Sequence, residues 1–168
     1  MLFEHLSQNK VNEFHDVHQS LQRYHKPLGL WCSLPGKWAE FALPPHSWVA
    51  TVDINDDFIT DWNLHSANQG GVLKLDLSNE NDLMAFIDAY RADDTLYDID
   101  WIKVKECYQG IFFTNVDQVP LYFDKFNQRD GCWVNSISVD SLCIWITSAL
   151  GRVTWRKKAP TRRLAQRS

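Results

Sequence analysis

Between residues 72 and 113 the chain changes its hydrophobic period more than once, and each change marks an element. Val72-Leu73-Lys74-Leu75-Asp76-Leu77 alternates apolar and polar positions, the two-residue period of a half-buried strand. Ser78 or Asn79 then caps a helix: Glu80 and Asp82 suit its positive end, and Leu83, Phe86, Ile87 and Tyr90 fall at i, i+3, i+4 and i+7 on one face. Asp100 caps a second helix through Trp101, Val104, Cys107 and Tyr108, ended by Gly110, after which Ile111-Phe112-Phe113 is an apolar strand.

The flanks are read the same way. Val11, Phe14, Val17 or His18, and Leu21 recur every three or four residues, which predicts a short amphipathic helix opening at Gln8 or Asn9. Lys26-Pro27 stops it, because proline disfavours helix in the residue before it, and Leu28–Ser33 follows as a strand entered through Gly29. From Pro35 to Gly71, Pro44-Pro45, Asp56-Asp57 and Gly70-Gly71 punctuate short apolar pieces, so the stretch reads as loop-rich with one strand near Trp48–Val52. Two more β segments are expected at Cys132–Ile137 and Leu142–Ile146. Short strands with helices at the front and middle predict an α+β fold with a mainly antiparallel sheet.

Length and composition narrow this further. A chain of 168 residues with 45% hydrophobic and 23% charged residues buries a real core as one domain and lies outside the disordered and collagenous classes. Its apolar runs fall far short of the roughly 20 residues that cross a bilayer, so no membrane helix is expected. The opening Met1–Lys10 lacks the basic start and long apolar middle of a secretion signal, which predicts a cytoplasmic protein with Cys32, Cys107, Cys132 and Cys143 as free thiols.

Charge is distributed unevenly. Arg152, Arg156, Lys157, Lys158, Arg162, Arg163 and Arg167 give the segment 152–168 a charge of +7 with no acid, leaving 10 basic against 21 acidic residues upstream, a body of about −11. The expected division is therefore a folded domain over 1–155 and a basic, flexible tail over 156–168. Its Arg156, Lys157, Lys158, Arg162 and Arg163 are candidate contacts to nucleic acid or an acidic protein.

Most familiar chemistry is missing from the sequence. There is no Gly-x-Gly-x-x-Gly, no phosphate loop and no Gly-x-Ser-x-Gly elbow. His15, His18 and His25 lack the companions of a zinc motif and read as surface histidines, so no metal is expected. Asp56-Asp57, Asp93-Asp94 and Asp98 with Asp100 fall in turns, where capping carboxylates are the rule. Eight Trp, five Tyr and nine Phe supply an aromatic core and, in places, walls for a ring-shaped ligand.

Four words remain: Glu4-His5-Leu6-Ser7; Lys26-Pro27-Leu28-Gly29-Leu30-Trp31-Cys32-Ser33; Asp100-Trp101 with Tyr108-Gln109-Gly110-Ile111; and Ser138-Val139-Asp140-Ser141-Leu142-Cys143-Ile144-Trp145. Together they resemble a family of uncharacterised bacterial and phage proteins with a His-aromatic-Thr opening, Lys-Pro-x-Gly-Leu-Trp-x-Ser, and a closing Trp-Asp-x-x-Ser-Gly-Cys-Ile-Trp. The first two words are also similar to the opening of ADP-ribosyltransferases of the His-Tyr-Glu type. That resemblance implies a split antiparallel sheet with flanking short helices, and NAD or a related nucleotide as substrate for modifying a host macromolecule.

Cleaving the glycosidic bond of NAD passes through an oxocarbenium-like state, which needs a ribose contact, a nicotinamide clamp and nearby negative charge. By resemblance His5 serves the first, Gly29, Leu30, Trp31 and Ser33 the second, and Asp140 with Ser141 the third. The chain departs from the transferase pattern in two places: Asp and Ser replace the expected Glu, and Leu6 replaces the aromatic after the His. The alternative is a non-enzymatic phage or mobile-element binding protein, a host-takeover or anti-defence factor, acting through its acidic body or its basic tail.

Overall fold

A computed structural model describes residues 1–19, 26–38, 48–62, 70–93, 95, 98–118 and 133–158. Its strands are β1 (Leu2–Ser7), β2 (Leu30–Ser33), β3 (Trp48–Asp53), β4 (Ile59–Asp61), β5 (Val72–Asp76), β6 (Gly110–Thr114), β7 (Ser141–Ile144) and β8 (Val153–Lys157). They form one mixed sheet in the order β4-β5-β6-β7-β2-β1-β3-β8. The β4/β5 and β5/β6 pairs are parallel and the other pairs antiparallel. A parallel neighbour requires a crossover. Helices α1 (Glu80–Tyr90) and α2 (Trp101–Cys107) lie between β5 and β6 and provide it.

The helix signals act as the sequence predicts at their starts. Asn79 Oδ1 accepts the Asp82 amide, and Asp100 Oδ1 accepts those of Ile102 and Lys103, satisfying donors that a helix leaves open. Leu83, Phe86, Ile87 and Tyr90 are the buried stripe of α1, each adding about 1.5–3 kcal/mol of apolar transfer when fully buried.

Register divides the core between two faces of the sheet. Trp31 of β2 pairs with Cys143 of β7, Cys143 with Ile111 of β6, and Ile111 with Leu73 of β5. These residues pack under the helices with Phe86, Trp101, Trp133 and Trp145. One residue along each strand, Cys32, Leu142 and Phe112 point the other way and meet Phe3, Ala50 and Val52. Strand β6 is buried on both faces, which is why Ile111-Phe112-Phe113 shows no alternation.

Several expectations are corrected. Residues 8–19 form no helix: Asp16 Oδ1 accepts the amide and hydroxyl of Thr147, the Val17 amide donates to Trp145 O, and Phe14 stacks on Trp155, so the apolar positions serve an extended wrap around the sheet. Gly110 does not end α2, which stops at Tyr108; it begins β6, where a Cβ would meet Cys143 O at 2.7 Å. Trp133–Ser136 is a 3-10 turn instead of a strand, while Cys132 lies outside the described residues. The 35–71 stretch contains β4 as well as β3.

The sheet is continuous rather than divided, although β1 and β2 share a single register pair, Glu4 with Ser33, against six between β1 and β3. Arg156 and Lys157, expected in the tail, pair with Val49 and Trp48 inside β8, and residues 159–168 lie outside the described residues. No described helix is long and apolar enough to cross a membrane.

Candidate functional site

Three of the four words lie side by side at the middle of the sheet, on β7, β2 and β1. Trp31, Cys32 and Ser33 stand opposite Cys143, Leu142 and Ser141, and Ser33 is opposite Glu4. Segments more than a hundred residues apart are thus in direct register.

Their side chains do not converge. His5 pairs with Ala50, and its ring meets Phe14 edge-on at 6.4 Å on the face away from the helices. Trp31 stacks on Phe113 on the helix face, at 6.2 Å and 13°. The His5 ring meets the Trp31 main chain and not its indole: His5 Nδ1 lies 2.7 Å from Trp31 O. A carbonyl oxygen only accepts, so Nδ1 carries the proton. His5 and Trp31 therefore do not share one cleft: the Glu4–Ser33 register sets His5 one position out of step with Trp31, and the pleat sends the two to opposite faces.

The other candidates have structural occupations. Asp140 Oδ1 accepts the Val116 amide at 3.0 Å, holding the turn after β6, where Asn115 is left-handed at φ 53°. The Ser141 hydroxyl donates to Val139 O, and the Ser33 hydroxyl donates to Leu34 O while accepting the Trp38 amide. Leu30 packs in the core of the non-helical face. Gly29 is needed for close approach, since a Cβ there would lie 2.5 Å from Ile144 O and 2.8 Å from Cys143 Sγ. Trp31 donates Nε1–H to Pro27 O at 3.1 Å, and Lys26 Nζ sits 4.6 Å from its ring centre.

The two buried thiols, Cys32 and Cys143, are passive. Burial pushes Cys32 up to about 12 and Cys143 well above its ordinary value, and Cys32, Cys107 and Cys143 are all free. His15 and His18 do not share a helical turn, and Lys105 Nζ donates to His18 Nδ1 at 3.4 Å; His25 lies outside the described residues. Among the described residues no group of three or more His, Cys, Asp or Glu is placed to hold a metal. At the carboxyl ends of β4 and β5, Asp61, Trp62, Lys74, Asp76, Asn79 and Asp82 line a 230 Å³ pocket. Burial alone would raise Asp76, but hydrogen bonds from Ser78 and Asn115 outweigh it and hold the carboxyl below its usual value.

A different region combines charge with aromatic surface. Edge strand β8 carries Arg156, which bridges Glu4 at 3.1 Å, and Lys157, whose Nζ lies 5.6 Å from the Trp48 ring; Lys158 follows directly. Arg162 and Arg163 lie outside the described residues. Beside β8, Phe14 and Trp155 stack at 6.1 Å and 13° and flank a groove of about 550 Å³. Sequence reasoning named the cations of this region but missed the strand and its aromatic rings; the signal was the alternation Val153-Thr154-Trp155-Arg156-Lys157, hidden inside what reads as a basic tail. Compared with protein-family models, curated proteins and solved structures, the chain gives no match.

Proposed function

We propose that this protein works by binding rather than by chemistry, holding an anionic partner at its basic C-terminal edge. The observation that carries the reading is the placement of Lys157 on edge strand β8 beside the partly exposed Trp48 and Trp155, with Lys158 just beyond it, while Arg156 turns to the other face and is held by Glu4. The polar atoms that transfer chemistry would need argue the same way: the Asp140 carboxylate and the Ser33 and Ser141 hydroxyls each serve a nearby backbone group. An acidic body repels polyanions and leaves the edge as the attractive region, which restricts how a partner approaches.

The test is heparin binding by the full chain at about 50 and 200 mM salt, with Lys157→Ala/Lys158→Ala for comparison. Each lost phosphate-like contact should reduce the salt slope by roughly one. Undetectable heparin binding at the lower salt defeats the reading.

The NAD reading keeps one supporting observation, the His5–Trp31 contact where β1 and β2 have only one register pair. Calorimetry at millimolar NAD decides it, and absence of heat ends it.

A further inference from the structure

We infer that the partner is a single-stranded polynucleotide, seated on the face of β3 and β8 that carries Trp48, Trp155 and Lys157. Cross-strand pairing sets these residues together: Trp48 opposes Lys157 and Ala50 opposes Trp155, so both indoles and the ammonium share one face, with the small Ala50 beneath. Phe14, brought over the sheet by the 8–19 wrap, stacks on Trp155. Trp48, Trp155 and Phe14 are all partly exposed, and Lys157 and Lys10 are exposed.

The groove beside the stacked pair is within the ~300–1,000 Å³ of small-molecule sites, enough for an unstacked base. Lys10, Asn12 and Glu13 on its rim supply one cation, one amide and one carboxylate, a set suited to a base edge and its phosphate. Aromatic rings on a sheet face beside cations stack bases that are already unpaired, and a duplex hides its base faces from them. Lys157 on the aromatic face and Lys10 at the groove, both exposed, give the complementarity for the strand's backbone.

This inference rests on the anion-binding reading, and the experiment separates the two. Short labelled oligo(U) and oligo(dT), a duplex of matching length and heparin are titrated by anisotropy against the full wild-type chain, Phe14→Ala and Trp155→Ala. The expected result is single-strand binding stronger than duplex binding, reduced about tenfold in either variant with heparin binding retained. Quenching of wild-type tryptophan fluorescence by the oligonucleotides is expected in parallel. It gives a readout that does not depend on a folded Trp155→Ala chain. Equal affinity of Phe14→Ala and wild type, duplex binding as tight as single-strand binding, or absence of quenching overturns the platform while leaving the anion reading intact. Loss of wild-type binding to heparin and oligonucleotides alike overturns both.

Discussion

The imidazole of His5 donates through Nδ1 to the main-chain carbonyl of Trp31, 2.7 Å away on the neighbouring strand. Strands β1 and β2 share only the Glu4–Ser33 register pair, so this side-chain bond satisfies a carbonyl that a longer ladder would otherwise serve. Removing the ring leaves a partly buried acceptor without its partner. His5→Ala should therefore cost about 1–3 kcal/mol in urea denaturation, and a value within error of zero would show that water replaces the bond.

Gly29 predicts a steric effect. An added Cβ meets the Ile144 carbonyl at 2.5 Å and Cys143 Sγ at 2.8 Å, and backbone on an adjacent strand cannot yield cheaply. Overpacking of this kind costs typically 1–3 kcal/mol, so Gly29→Ala should lower the midpoint of chemical denaturation. Gly36→Ala makes a useful contrast: it meets no atom within 4 Å but carries φ +81°, so its cost is conformational rather than steric.

The buried thiols predict an order of reactivity. With burial raising Cys32 from 9.0 to about 12, its thiolate fraction at pH 8 falls about a thousandfold before steric shielding is counted. Iodoacetamide followed by peptide mapping should label partly exposed Cys107 in the native protein and spare Cys32 and Cys143, with all three labelled in denaturant. Rapid native labelling of Cys143 would contradict its burial.

Asp16 gives the pH dependence. The Thr147 amide, then its hydroxyl, bond the carboxylate and lower its pKa below the ordinary 3.8. A lowered folded-state pKa means that the tether is fully present above the unfolded value and is lost as the pH falls through the folded one. The Thr147 amide resonance should therefore move with a midpoint below 3.8, and Asp16→Asn should abolish that titration. A midpoint at or above 3.8 would contradict the hydrogen-bonded geometry.

The sequence by itself determined the elements whose signal is local. Asn79 and Asp100 announce helix starts because a short polar side chain meets open amides two or three residues on, and the α1 stripe follows from the helical period alone. Strands β2, β3, β5, β6 and β7 were legible for a similar reason, as apolar runs bounded by turn residues. Local pattern was insufficient where partners are distant. Val11, Phe14 and Val17 have helical spacing, but Phe14 goes to Trp155 and the Val17 amide to Trp145 O, contacts made across more than a hundred residues. The same applies to β8, where pairing with β3 carries the strand through Arg156 and Lys157 and overrides a composition that reads as tail. For the site, residue type placed the words and the sheet brought them to adjacent strands, but which face each side chain takes depends on register. A strand alternates its faces at every residue, and only pairing with neighbours decides that His5 and Trp31 turn away from each other while Trp48, Trp155 and Lys157 turn the same way.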